Sequence, residues 1–479
     1  MSLTAVVFLL CFVIGIGMAL FRHPIYGLYT YIAVFYLDAP NRWWGVGLPD
    51  LRWSLLAAVF TAIAILRLKP DPARTPWYKT FPAIFLIVYT LWLWIQSPWA
   101  VDPDLHRECA IIFTKFIIVY FMVYRLIDTP LLTADFLLAH VLGSMYLGLV
   151  ALGTDAPGGR LDGVGGAGID DSNTLGMHAA TAAVAGAMLI FVKRDWRRYA
   201  ALVSVPFILN MVVMTGSRGA FLALFMGGVT IFILRPKENT RLFYTLAFLG
   251  VLGFGVVASE AFWTRMQTME AAVNKEETLD NSAEGRIAQI RAGIRMFGAH
   301  PLGVGHRGFA TLSSQYLDAS YLDSSGARSS HNTFISTLVE QGFPGAILFS
   351  MLWLWVLKSF LVARRWASTK RPLLDVSVMA ATCSGLAVVF VGGQFADFLK
   401  SEVMVWLLAL LAGLRLTPVF ALSEPTPRAK GARVGPPSLA RQRTSPRQGN
   451  LITNAGDDRL ATEPIARHES MNTHLPNVP

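Results

Sequence analysis

Charge is scarce in this sequence. Of 479 residues, only 15% are Asp, Glu, Lys or Arg, against about a quarter in an ordinary soluble domain. Cysteine is scarcer still. Cys11, Cys109 and Cys383 are the three, each lies in or beside an apolar segment, and no two form a CxxC pair. A disulfide framework or a zinc site is not expected from that pattern. No P-loop signature occurs, and the Gly-rich loop over 159–173 is expected outside, the wrong compartment for nucleotides. No pair of broken helices recurs in two halves, which counts against a secondary transporter built from repeats.

What the chain has instead is apolar length. Hydrophobic residues make up 54% and the mean hydropathy is +0.47. Runs of roughly 18 or more apolar residues can each cross a bilayer core of about 30 Å. The spacing predicts membrane segments near 2–21, 24–38, 52–67, 80–98, 109–126, 131–152, 173–192, 199–215, 219–234, 242–259, 343–363, 375–395 and 401–417. The second is short, so twelve or thirteen spans are expected in an all-α, polytopic membrane protein. The first run lacks a basic n-region and a small-residue cleavage site, and is expected to be retained. The organisation follows: N-terminal membrane helices over 1–259, one large loop over 260–331, C-terminal membrane helices over 332–418, and a tail over 419–479. That tail is rich in Pro, Arg, Ser and Gly and is expected to be disordered and cytoplasmic.

The formal net charge of +10 does not imply nucleic acid in such a chain, because Lys and Arg collect in cytoplasmic loops beside anionic lipid. Basic loops at Arg67–Lys79, Lys193–Arg198, Arg235–Arg241 and Arg364–Arg371 alternate with acidic or neutral ones at Val101–Glu108, Thr154–Ser172 and Gly392–Phe398. The alternation puts the basic set in the cytoplasm and the loop 260–331 outside, in the periplasm of a two-membrane bacterium. Arg22 and His23 suggest that the first helix runs from outside to inside.

Arginine on the exported side is the departure from that rule. Thr215-Gly216-Ser217-Arg218-Gly219 is a tight turn between two membrane segments. Arg218 there either snorkels to lipid headgroups or holds a lipid-linked phosphate through a bidentate contact. Residues 285–297 have helical period, with Ile287, Ile290, Ile294 and Phe297 in one stripe. An amphipathic helix lying on or against the membrane domain is expected. Arg286 borders the stripe and is best placed to point inward. Arg291 and Arg295 lie on the other face, as a solvated basic surface or as substrate contacts. Pro301 ends the helix and the glycines of 303–308 make a compact turn.

The loop closes at Ser329-Ser330-His331-Asn332. Ser330 or Asn332 can cap the next helix, which puts His331 in its first turn. There the helix dipole disfavours imidazolium, and the same amides can attract phosphate. Glu340 falls on the opposite face and is not paired with His331. Upstream, Gly159–Asn173 is a Gly-rich loop entering a helix. Its Asp170–Asp171 pair could bind a divalent ion, but capping is favoured.

Together these residues resemble the O-antigen ligase and polymerase superfamily of bacterial inner membranes. The resemblance rests on Ser217-Arg218-Gly219, on Gly285-Arg286 leading to His300-Pro301-Leu302-Gly303-Val304-Gly305, and on His331-Asn332-Thr333-Phe334-Ile335 through Leu338, Glu340, Gly342 and Gly345. It covers about 150–400. The stretch Asp38–Trp44 looks closer to the branch associated with exosortase-type exopolysaccharide loci. The resemblance implies twelve membrane helices with both termini in the cytoplasm, in a glycosyltransferase architecture of the multi-span type. It implies transfer of a glycan from undecaprenyl pyrophosphate to a hydroxyl of lipid A–core, polysaccharide or protein, with inversion and with no metal or cofactor. Arg218 and Arg286 would clamp the pyrophosphate. His331 would act as general base or hydrogen-bond the pyrophosphate. Arg160, Ser217, Arg265, Arg291 and Asn332 would contact substrate. A polysaccharide polymerase of the same superfamily and a non-enzymatic lipid or polysaccharide transporter are the alternatives.

Overall fold

A computed structural model of the chain describes residues 1–154, 160–166, 168–192, 195–237, 240–257, 281–369 and 371–416. The expected tail and the first part of the large loop, including Arg265, lie outside the described residues. The described residues form helices and no strand. They are α1 (Leu3–Phe21), α2 (Ile25–Leu37), α3 (Trp53–Ile65), α4 (Phe81–Gln96), α5 (Pro103–Leu126), α6 (Pro130–Leu152), α7 (Ser172–Leu189), α8 (Trp196–Met214), α9 (Arg218–Leu234) and α10 (Thr240–Val257). Then follow α11 (Asn281–Ala299), α12 (Gly308–Tyr316), α13 (Thr333–Glu340), α14 (Gly342–Ser368), α15 (Leu373–Gly392) and α16 (Glu402–Arg415).

Each of the thirteen apolar segments coincides with one of these helices, α1–α10 and α14–α16. Seven helical stretches are long and apolar enough to cross a membrane by length and composition. The outward faces of α1 and α14 carry exposed Val7, Leu10 and Ile14, and Met351, Leu354 and Leu357. Such continuous apolar surface suits lipid, not water. The chain is a multi-pass membrane protein.

Small residues let the centre pack closely. α7 is alanine-rich and almost wholly buried. A Cβ at Gly176 would lie 2.8 Å from Ala220 and Thr215, and one at Gly227 would lie 2.7 Å from Val184 and Val388. Backbone approach through small residues is a general device of membrane helices. Asp135 of α6, a charge within an apolar segment, is answered by Arg197 at 2.6 Å.

The loops gather at two ends, as the charge alternation predicts. At one end, Arg42 donates to the Val164 carbonyl (2.8 Å), Val101 N to the Val304 carbonyl (2.9 Å), and Leu161 N to the Met214 carbonyl (3.1 Å). At the other, Arg74 donates to the Ile127 carbonyl (2.9 Å). The start of α1 belongs to the first end, since Ser2 donates to the Trp44 carbonyl (2.6 Å). The end of α16 belongs to the second, where a Cβ at Gly413 would lie 3.3 Å from Arg74. An odd number of traverses therefore separates the start of α1 from the end of α16. This differs from the twelve helices and same-side termini that the resemblance implies.

The amphipathic helix forms as α11, but its isoleucine stripe is not the packed face. Ile287, Ile290 and Ile294 are exposed, whereas Gln289, Ala292 and Met296 are buried. The reason is steric. A Cβ at Gly293 would stand 2.5 Å from Ile335, so α11 approaches α13 through its small residues and turns the bulky ones outward.

Candidate functional site

The loops at the first end of the bundle carry the candidate arginines. The turn between α8 and α9 depends on two glycines. Gly216 takes a left-handed φ of 57°, and Gly219 is buried with its Cβ position 2.5 Å from Phe395. Ser217 caps α9 by accepting from Ala220 N (3.3 Å). Its hydroxyl donates to Asn173 Oδ1 (2.9 Å), and Arg160 Nη2 donates to that same oxygen (3.2 Å). Arg160 Nε is buried and has no hydrogen-bond partner. Arg218 is the first residue of α9, one position from Ser217.

Phe395 joins this turn to α11. The Arg286 guanidinium carbon lies 5.4 Å from the Phe395 ring centroid, within cation–π range. Phe395 thus touches the Gly219 position, next to Arg218, and carries the Arg286 guanidinium over its ring. Sequence reasoning missed Phe395 because an aromatic after a membrane helix has no distinguishing pattern of its own.

His331 completes the cluster from the other direction. Its φ is 48°, in the left-handed region, which a branched environment must enforce for a non-glycine residue. Asn332, not Ser330, is the cap: its Oδ1 accepts from Phe334 N (2.9 Å) and Ile335 N (3.1 Å), and its Nδ2 donates to the Gln394 carbonyl (3.3 Å). His331 therefore precedes the helix by two residues and does not sit in its first turn. Asn332 spends its amide on shaping the loop. Thr333 adds to the clamp, its N donating to the Gly393 carbonyl (2.7 Å) and its hydroxyl to the Ala396 carbonyl (2.8 Å). These bonds tie His331 to the loop that carries Phe395.

The electrostatics of the cluster are cationic. Burial pushes the His331 imidazole below its ordinary value, and the Arg328 and Arg286 charges push it further; Asp171 opposes them and Arg160 adds to them. Desolvation and arginine charge, not a helix dipole, are what favour the neutral ring. Asp171 caps α7, accepting from Asn173 N (2.9 Å) and Thr174 N (3.2 Å). The described residues place Arg291 elsewhere. It is exposed on the outer face of α11. Arg295 donates to the Tyr316 carbonyl and fastens α11 to α12.

A second buried network supports the first, and sequence reasoning did not find it. His306 Nδ1 lies 3.0 Å from Glu340 Oε2, both side chains almost fully enclosed. His306 N donates to His106 Nδ1 (2.9 Å), and Gln96 donates to the Glu340 carbonyl (2.7 Å). Burial alone would depress the His306 imidazole. Hydrogen bonds and charge from Cys109 and Glu340 outweigh it and hold the pKa at about 10. The available signal was the glycine spacing at 303 and 305. Both take left-handed φ, and Cβ atoms there would meet Gly342 N at 2.5 Å and Ala100 at 2.6 Å. Glycines so close to other segments mark a packed loop, not a free one.

Chemically the cluster offers the Arg160, Arg286 and Arg328 guanidinium groups beside a His331 imidazole that burial and their charge favour as neutral. Such a set suits an oligoanion of the phosphate type. Residues 203–350 match the family model described as O-antigen ligase. The matched stretch contains Ser217, Arg218, Arg286, His331 and Asn332 and leaves out Arg160, Asn173 and Phe395. The match spans 148 of the 479 residues and is a likeness to the O-antigen ligase superfamily. No curated protein matches the chain.

Proposed function

We propose that this chain, as a protein of that superfamily, transfers a glycan from a polyprenyl pyrophosphate to a hydroxyl acceptor at the periplasmic face of a bacterial inner membrane. The observation that supports the proposal is that the Arg286 and Arg160 charges act on His331, while Arg160 and Ser217, the neighbour of Arg218, share Asn173 Oδ1. Arg218 and Arg286 hold the pyrophosphate and take up the charge that grows on it as it leaves. Fixed cations aimed at developing charge are worth most where water is excluded. The acceptor oxygen attacks the anomeric carbon as the bond to pyrophosphate breaks. The electron pair goes to the pyrophosphate and the hydroxyl proton to His331. One displacement inverts the anomeric centre. The protein groups alone supply the charge stabilisation in this scheme, with no metal.

The choice between ligase and polymerase turns on the product. The test uses purified full-length protein, undecaprenyl-pyrophosphate-linked glycan and an acceptor such as lipid A–core. Ligation yields finished chains on the acceptor, whereas polymerisation yields a ladder on the lipid carrier. Loss of product in Arg286→Gln and His331→Ala, with both proteins still folded, is the expected result. Wild-type transfer by both variants sinks the assignment.

A further inference from the structure

Between α2, α3 and α5 lies a cavity of about 740 Å³, within the range usual for small-molecule sites. None of Arg160, Arg218, Arg286 or His331 lines it. α3 borders it from Arg52 to Leu66, a length of about 21 Å at 1.5 Å per residue. Its walls are mainly apolar, and Leu55, Val59 and Ile63 of α3 line it together with Ile112, Phe116 and Val119 of α5. The slot is as long as an acyl chain is, and it runs along the membrane-spanning direction.

The polar groups of the cavity are oddly matched. Arg52, Lys115 and Lys400 line it, with Asp38 and Glu402. The acids are already engaged with neutral donors. Asp38 accepts from Asn41 (3.1 and 3.2 Å), and Glu402 accepts from Tyr31 and from Trp406 Nε1 (3.2 Å). Among the described residues, Arg52, Lys115 and Lys400 form no ion pair and no side-chain hydrogen bond. Lys400 acts only at a distance, on Asp397. Lys115 sits near the middle of α5, a 24-residue helix apolar enough to span a membrane. A cation at such depth is costly without a partner or a polar cavity. Two more polar groups of the lining are short of partners, since His178 Nδ1 and Trp53 Nε1 are buried without a hydrogen bond.

We propose that this cavity binds one anionic phospholipid of the bilayer, its phosphate among the three cations and one acyl chain in the slot beside α3. Charge complementarity selects the occupant: spare cations and unpaired nitrogens call for an oxygen-rich anion, and the apolar walls call for a chain. The separation from the arginine cluster favours a bilayer lipid over the lipid-linked donor, whose pyrophosphate belongs beside Arg218 and Arg286.

Native mass spectrometry of the full-length protein in mild detergent tests this, with phosphatidylglycerol and phosphatidylcholine of the same chains as probes. One bound phosphatidylglycerol is expected, preferred at least tenfold over phosphatidylcholine. The double variant Lys115→Gln, Lys400→Gln should lower its occupancy at least fivefold. Val59→Trp, at an exposed position on the slot wall, should lower it without altering charge. Arg286→Gln should keep it, which separates this site from the transfer site. Equal binding of the two lipids, unchanged binding in both slot variants, or displacement of phosphatidylglycerol by a lower concentration of undecaprenyl pyrophosphate would overturn the proposal.

Discussion

At the scale of single residues, the proposed chemistry rests on charge held where water is excluded. Arg286 is fixed on one side by α11 and on the other by Phe395. A lysine there keeps the charge but loses the planar fork and its stacking. Arg286→Lys is therefore expected to lose about 10²–10³ in transfer rate, the range for removing one fixed donor at developing charge. Steady-state rates with the lipid-linked donor check this. In the proposed reaction, His331 carries the pH dependence. Its ordinary value is about 6.5, and burial with the Arg328 and Arg286 charges lowers it. The neutral ring is the active form, so activity should rise with pH through a midpoint below 6.5. Arg328→Gln removes one depressing charge and should move that midpoint upward; a pH–rate profile of this variant with an unmoved acidic limb would exclude His331 as the base. Gly219→Ala adds a Cβ where Phe395 stands 2.5 Å away. It should cut transfer severely while the helix count by circular dichroism stays the same.

At the scale of elements, the turn, the loop and the short helix α13 form one support for those residues. The His306–Glu340 pair is its buried pin. Removing one member of a buried pair leaves an uncompensated charge, at a cost of about 3–5 kcal/mol. Glu340→Ala should lower the thermal midpoint accordingly, and His306→Asn is the milder control. The pair also has a pH signature. Its histidine is raised from about 6.5 to about 10, so its contribution is full below about 6.5 and is lost as pH rises toward 10. Melting curves at pH 6, 8 and 10 should show wild type converging on His306→Asn. How far the sequence disclosed these elements depended on distance along the chain. Each apolar run was visible as a helix because hydrophobic length is a local property. Ser217-Arg218-Gly219 and Arg286 were visible because arginine is unusual in exported loops. The isoleucine stripe of α11 misled, because hydrophobic period fixes which residues share a face and not which face packs. Gly293 decided that. The Glu340 partner was invisible for the same reason: His306 reaches it through a fold of the chain, while helical period compares only neighbours.

At the scale of the whole molecule, the charge alternation of the loops becomes a sorting of loops to two ends. The start of α1 lies with the arginine cluster and the end of α16 lies opposite. Ser2→Cys and Leu416→Cys, each in a background without the native cysteines, should therefore react with a membrane-impermeant maleimide from opposite sides. Labelling of both from one side would restore the same-side termini that the resemblance implies. The bundle brings the turn after α8, the loop after α15 and the segment 281–332 to one end, where in the proposed function guanidinium groups distant in sequence face one oligoanion. Binding of undecaprenyl pyrophosphate itself, free of any glycan, to purified wild-type, Arg218→Gln and Arg286→Gln proteins tests that claim most directly. Each substitution should weaken binding at least tenfold, and inorganic pyrophosphate should compete in the wild type. Unchanged affinity in both variants would contradict the account.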